Sequence, residues 1–372
     1  MFCWASERLA PQVKRCLDRL VEAEDVKHVA VMPDVHLAQQ ICVGTAFATT
    51  RLIYPQAVGG DIGCGMSTVA VWAERETVGH PPSREEILRC MQRAVPIGRR
   101  RRQDAEAGKD RIPDPATLSE PRLSALAVGD GLMQLGTLGR GNHFLELQAD
   151  DEGQMWLLVH SGSRAMGQAI ASTHLARATP AGAGFRTLDA TTGAGQAYLQ
   201  DVMWARRYAS ANRRTMLDAV GDALSEAFGW ALDDETFFDC DHNHVAAETH
   251  FDEPMWVHRK GAINAGENVP GVIPGSMAAP TFHVRGKGAP DALCSAAHGA
   301  GRKLSRSEAR SRIGRHELVR QLGDVCVDPK MLGALRTEAP GAYKDIRSVM
   351  RAMRPFVSTV RTLHPVICHK GG

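Results

Sequence analysis

Val58-Gly59-Gly60-Asp61-Ile62-Gly63-Cys64-Gly65-Met66 packs four glycines into seven residues and runs straight into a β-type stretch from Ser67 to Trp72. Glycines let the backbone turn tightly and approach a ligand closely. Asp61 and Cys64 lie three apart inside that turn, so a carboxylate and a thiolate can point at one centre, a plausible ligand pair for a divalent metal. Taken alone, the segment reads equally well as a glycine-rich turn around a buried structural cysteine.

Outward from this turn, short β-type runs recur at His28 to Met32, Trp156 to His160, Met255 to His258 and Thr281 to Arg285. Helical periodicity marks Met166 to Arg177, Ala197 to Ala227, Ser307 to Gly323 and Ala342 to Met353. Strands and helices mix without a steady βαβ alternation, which predicts an α+β fold with several sheet layers. The segment from about 74 to 123 stands apart. It holds Pro81-Pro82, a helical pattern from Ser83 to Val95, the run Arg99 to Arg102, and Pro113, Pro115 and Pro121. It reads as a surface excursion from a core. The arginine run reads first as a solvated face, with phosphate contact as the alternative.

At 372 residues the chain can bury a large core. Its 44% hydrophobic and 23% charged residues argue against a mainly disordered or fibrous protein. No apolar run is long enough to span a membrane, and charges between Glu7 and Asp18 leave no secretory h-region. Nine cysteines without a C-x-x-C pair predict reduced thiols and a cytoplasmic setting. A net charge of +2 neither demands nor excludes nucleic acid.

Four further segments carry polar side chains in glycine- or asparagine-rich turns. Gly139-Arg140-Gly141-Asn142-His143 leads to Glu146, but its spacing is not that of a P-loop. In His160-Ser161-Gly162-Ser163-Arg164 an apolar strand ends on polar residues. Adjacent strand residues face opposite ways, so a Ser–His pair is a poor reading and His160 as a ligand or phosphate contact fits better. Asp239 to His244 and Ser295 to Arg302 bring His242 and His298. A lone histidine is seldom a ligand; four in such contexts shift the reading towards a site.

Together these segments resemble the RtcB family of RNA ligases from about Met32 to the end of the chain. The carrying motifs are M-P-D-V-H (Met32 to His36), V-G-G-D-I-G-C-G-M (Val58 to Met66), G-R-G-N-H-F-L-E (Gly139 to Glu146) and H-S-G-S-R (His160 to Arg164). There follow H-N (His242, Asn243), R-K-G-A (Arg259 to Ala262), G-V-I-P-G-S-M (Gly271 to Met277), H-G-A-G-R (His298 to Arg302), A-P-G-A-Y-K-D-I (Ala339 to Ile346) and a terminal K-G (Lys370, Gly371). Any one could arise by chance; all of them in the family's order are specific.

The resemblance implies one large catalytic domain across 1–372 and two manganese ions bridged by the Cys64 thiolate. Asp61 and His143 would complete one site, His160 and His242 the other, with Asp34 nearby. His298 would attack the α-phosphorus of GTP to give a histidine–GMP phosphoramidate. GMP would then pass to an RNA 3′-phosphate, itself opened from a 2′,3′-cyclic phosphate where needed, and a 5′-hydroxyl would displace it. Around the nucleotide the resemblance places Asn142, His143, Phe144, Leu145, Glu146, His242, Asn243, Pro274, Gly275, Ser276, Met277, Thr281, Gly299, Ala300, Gly301, Tyr343 and Lys370. Arg164, Lys260 and Arg302 become RNA or phosphate contacts. The chain departs from the family pattern at Gln39, Gln40, Arg140, Ala165 and His244, none of them an implied ligand or nucleophile. Two other readings use the same residues: a metal-dependent cyclic phosphodiesterase or capping enzyme that does not join ends, and a non-catalytic RNA-end-binding module. tRNA splicing and repair of other cleaved RNA are the roles the ligase reading allows.

Overall fold

The computed structural model describes residues 1–38, 40–72 and 83–371. Two antiparallel-rich sheets organise the molecule. In the seven-stranded sheet the order is Ala231–Asp241, Gly65–Trp72, Met155–Ser161, Phe144–Asp150, Val357–Lys370, Thr281–Gly286 and Pro270–Pro274. The five-stranded sheet runs Phe2–Cys3, Val26–His36, Val43–Thr49, Glu253–Lys260 and Asn243–His250, with one parallel pair at its Phe2–Cys3 edge. The α+β expectation holds.

Strand alternation sorts the seven-stranded sheet into two faces. Leu145, Leu147, Leu157 and Val159 point to a core shared with Ile87, Leu88 and Met91 of the helix Arg84–Ala94 and with Met216, Leu217, Val220 and Leu224 of the helix Gly193–Phe228. Phe144 and Leu158 face the other way, against Ala309, Ile313, Leu318 and Leu335. That second face carries His160 and Lys370. Lys370 pairs with Phe144, Phe144 with His160, His160 with Met66 and Met66 with Cys240, so a single row crosses five strands.

The helix Gly193–Phe228 is 36 residues long, capped at its start by the Thr192 side chain and ended by Gly229 in the left-handed region at φ 69°. Its buried stripe repeats every three or four residues, as an amphipathic helix requires, yet it includes Asn212 and Arg213.

Several boundaries differ from the sequence reading. The pattern from Ser307 to Gly323 is two helices, Arg306–Arg312 and Arg315–Leu322, separated where Gly314 adopts an extended backbone. The pattern from Ala342 becomes helical only at Ile346, because the Asp345 side chain accepts the Arg347 N–H and fixes the start there. Within the stretch read as a surface excursion, residues 73–82 fall outside the described residues, while Arg84–Ala94 buries four apolar side chains and is part of the core. Of the arginine run, Arg99 pairs with Asp130 at 2.9 Å and Arg100 donates to the Gly136 carbonyl at 3.2 Å. No described helix is long and apolar enough to cross a membrane.

Candidate metal and nucleotide site

The glycine-rich turn holds Cys64 by short-range geometry. Its N–H donates to the Asp61 carbonyl at 3.1 Å, and the Gly63 N–H donates to the Asn243 carbonyl at 2.8 Å. Gly63 has φ 69°, and a side chain there would run into the backbone of Arg206, so glycine is needed twice over. The Asn243 amide ties the turn to its neighbours, donating to the Asp61 carbonyl at 3.2 Å and accepting from the Gly261 N–H at 2.9 Å.

Beneath the turn lies Arg213, fully buried. Its guanidinium donates to the Gly63 carbonyl at 2.8 Å and the Ser161 carbonyl at 2.9 Å, and it forks onto Asp239. Asn212 beside it donates to Ser161 Oγ at 3.2 Å and the Gly162 carbonyl at 3.3 Å. These two residues brace the turn bearing Cys64 against the strand end bearing His160. The sequence reading missed both. A signal existed, since a charge and an amide stand side by side in a mostly apolar helical stripe, the usual mark of a buried, paired role.

Cys64 Sγ is 3.2 Å from His160 Nε2 and 3.6 Å from His143 Nε2. His143 Nε2 is 3.0 Å from Asp61 Oδ2, and its Nδ1 donates to the Leu138 carbonyl at 2.9 Å. His160 and His242 face each other, Nε2 to Nε2, at 3.4 Å. The donors form two triads that share one sulfur: Asp61, Cys64 and His143, and Cys64, His160 and His242, each with ligand atoms within 4.8 Å of one another. Bonds of the length divalent ions make to nitrogen and sulfur space tetrahedral ligands about 3.4–3.8 Å apart, so both triads fit a cation with little movement.

The electrostatics agree. Burial, and then the neighbouring His242 ring, holds His160 well below the usual imidazole value; burial and then His298 do the same to His242. Both are therefore neutral, the ligand form. Burial would raise Asp61, but the His143 ring, the Cys64 contact and the His160 ring together outweigh it and hold the carboxyl at about 2. Burial and Asp61 push the Cys64 thiol up, and a divalent cation among these donors would supply the charge that favours its thiolate.

The site opens into a cleft of about 860 Å³. His298 lies there with its ring centroid 4.7 Å from that of His242, and its Nδ1 donates to the buried Asp34 carboxylate at 2.7 Å. That bond leaves the lone pair on Nε2. Gly301, at φ 74°, lies so close to the Asp34 backbone that any side chain would collide with it. Asp34 itself stays outside the cleft wall, behind His298.

The wall includes Asn142, Phe144, Glu146, Asn243, Lys260, Pro274, Gly275, Ser276, Met277, Gly299, Ala300, Gly301, Arg302, Tyr343 and Lys370. Lys370 Nζ donates to the Asn142 carbonyl at 2.9 Å and sits over the Phe144 ring. Burial raises Glu146 to about 7 although Gln148 donates to it at 2.6 Å. Lys260 donates to the Gln56 carbonyl at 3.1 Å, and burial lowers it to about 8.

Three named residues are placed elsewhere. Leu145 points into the opposite core, as strand alternation dictates. Thr281 is buried behind the wall, accepting from Gln148 at 3.0 Å. Arg164, at φ 57°, donates to Thr137 Oγ1 and the Ile97 carbonyl, both at 3.3 Å, and does not line the cleft. Arg302 lines it, but its guanidinium is shared among Glu338, the Thr337 carbonyl and the Leu304 carbonyl. Glu338 was not foreseen. It is buried, accepts from Tyr343, Arg302 and Arg306, and lies 3.9 Å from Lys370. Its partners are scattered from 302 to 370, so no local pattern announced it.

Of the departures from the family pattern, Gln39 lies outside the described residues. Gln40 and Arg140 are exposed, and the Ala165 N–H donates to the Gln134 side chain at 3.0 Å. His244 is buried between Asp241 at 3.0 Å and Arg259 at 3.3 Å.

Comparison with known proteins adds an independent line. Residues 20–120 and 114–371 match the family described as tRNA-splicing ligase RtcB. Among curated relatives, an RNA-splicing ligase RtcB from Escherichia coli is 35% identical over 93% of this chain and 90% of its own. An RNA-splicing ligase RtcB from Mycobacterium tuberculosis is 29% identical over 91% and 96%. A tRNA-splicing ligase RtcB from Methanococcus maripaludis is 28% identical over 87% and 83%.

Proposed function

The chain belongs to the RtcB family, and on that premise we propose that it is a GTP- and manganese-dependent RNA ligase joining 3′-phosphate or 2′,3′-cyclic phosphate ends to 5′-hydroxyl ends. The observation that carries this reading is one arrangement: His298, oriented by Asp34 at 2.7 Å, stands against His242 at the lip of two donor triads that share Cys64. A phosphodiesterase would not need a guanine site beside that imidazole, and an end-binding module would not need the imidazole itself.

Asp61, Cys64 and His143 would hold one manganese ion and Cys64, His160 and His242 the other. Such a pair of ions neutralises phosphate charge and aligns attacking and leaving oxygens. Asp34 accepts the Nδ1 proton of His298 and so keeps the Nε2 lone pair free for the α-phosphorus of GTP. As the N–P bond forms and the P–O bond to pyrophosphate breaks, positive charge grows on the imidazole, and the Asp34 carboxylate stabilises it. The glycines Gly299 and Gly301 let the backbone approach phosphate oxygens closely. Phe144 and Lys370 offer a ring and a cation to the guanine, and Ser276, Asn142 and Glu146 offer hydrogen-bonding groups around it. The GMP then moves to the RNA 3′-phosphate, and the 5′-hydroxyl displaces it.

The test mixes protein, manganese and GTP labelled on the α-phosphate. An acid-labile protein-bound label is expected from the wild type and not from His298→Ala. Opening of cyclic phosphates that proceeds without GTP and survives His298→Ala, with no label on the wild type, would replace the ligase by a phosphodiesterase.

A further inference from the structure

His36 shares the cleft with His298 but has no part in the chemistry described so far. Its backbone explains why it is there. Asp34 and His36 lie at the end of the strand Val26–His36, where the register against Val43–Thr49 shifts between Val31 and His36 and re-aims the chain. The contacts then close a short circuit. His36 pairs with Val43, Val43 packs on Gly261, and Gly261 packs on His298 Cε1. Asp34 therefore grips the nucleophile from one side while His36 stands next along the wall.

The tautomer of His36 is fixed by its partner. Its Nδ1 is 3.0 Å from the Asp34 carbonyl oxygen, which can only accept, so Nδ1 carries the proton and Nε2 carries the lone pair. Nε2 has no hydrogen-bond partner among the described residues. Burial favours the neutral ring and outweighs the opposing pull of the bond to the Asp34 carbonyl. The Lys344 ammonium, bonded to the Pro33 and Val35 carbonyls at 3.1 and 2.7 Å, pins the backbone on either side of Asp34. The result is a neutral imidazole with a free acceptor nitrogen, held on a rigid strand beside the reaction centre.

We propose that His36 is the general base of the sealing step, accepting the proton of the RNA 5′-hydroxyl as that oxygen attacks the capped 3′-phosphate. This rests on the ligase reading above. The step balances without a further reactant: the O5′–P bond forms, the P–O bond to GMP breaks and GMP leaves with the electron pair. His36 Nε2 holds the hydroxyl proton and releases it to water. His298 is the nucleophile of the first step and has no equivalent task in the last, so the two histidines divide the reaction between its ends.

The experiment separates those ends. RNA already carrying a 3′-terminal diphosphate-linked guanosine is mixed with a 5′-hydroxyl RNA and manganese, and sealing is timed directly. In parallel, each protein is scored for label from GTP. For His36→Ala we expect labelling within about twofold of wild type and sealing slowed about 100-fold, the usual scale for loss of a general base. Sealing by His36→Gly should be restored in part by added imidazole, which a merely structural role would not show. Unchanged sealing in His36→Ala, or labelling and sealing that fall together without imidazole rescue, would overturn the assignment while leaving the ligase reading intact. A wild type that neither takes label nor seals capped RNA removes both.

Discussion

At the scale of single residues, the sharing of Cys64 makes the two donor triads unequal in what they can lose. Replacing Cys64 by alanine removes a ligand from both, whereas His143→Ala strips only the triad with Asp61 and leaves Cys64, His160 and His242 together. We expect manganese analysis after desalting to give two ions per chain for the wild type, one for His143→Ala and none for Cys64→Ala. Two ions retained by Cys64→Ala would remove the bridging role. Glu146 makes a second prediction, about pH. Its folded value of about 7 lies above the 4.5 of an unhindered glutamate, so the unfolded chain ionises first and folding loses stability as pH rises through that window. The loss is on the order of 3 kcal/mol. Glu146→Gln should therefore be the more stable protein at pH 8, with the advantage shrinking towards pH 5. Chemical denaturation at both values checks it, and a gap that is constant with pH would contradict the buried, protonated carboxyl.

At the scale of elements, legibility followed how local the signal was. The strand Met155–Ser161 and the long helix Gly193–Phe228 were readable within a few residues because their apolar periodicity is their own. The terminal strand Val357–Lys370 was not read as a strand. Pro365 and His364 interrupt its pattern, and it survives as a strand because Thr281–Gly286 pairs with its first half and Phe144–Asp150 pairs with it on both sides of a bulge between Pro365 and Ile367. The candidate donors that the structure brings together were legible for a different reason, since short motifs name their residues without any knowledge of pairing. The supports were not, because Arg213 acts on Gly63 and Ser161, 150 and 52 positions away. That gives a prediction for the helix as an element. Arg213→Ala leaves Asp239 without its forked partner and the two carbonyls without a donor, a loss of about 3–5 kcal/mol for a broken buried pair. Urea unfolding should show this loss, and added manganese should recover less stability in the variant than in the wild type. Equal metal-linked stabilisation in both proteins would mean that the helix does not brace the site.

Across the whole molecule, the site gathers residues from Asp34 to Lys370, and its last member comes from the centre of the larger sheet. The strand Val357–Lys370 lies between Phe144–Asp150 and Thr281–Gly286, so cutting the chain before it would split the sheet, whereas changing only its final side chain leaves the pairing intact. Lys370 is thus the point at which the fold and the proposed nucleotide binding can be pulled apart. Its ammonium touches the Asn142 carbonyl and the Phe144 ring and lies 3.9 Å from Glu338. Removing it does not strand Glu338, which keeps Tyr343, Arg302 and Arg306. Lys370→Ala should therefore unfold within a few degrees of the wild type. A charged hydrogen bond contributes about 1.5–3 kcal/mol, so the concentration of GTP needed for half-maximal labelling of His298 should rise about 10- to 100-fold. Should the melting temperature collapse while GTP affinity per folded molecule stays unchanged, the end of the chain serves the sheet alone.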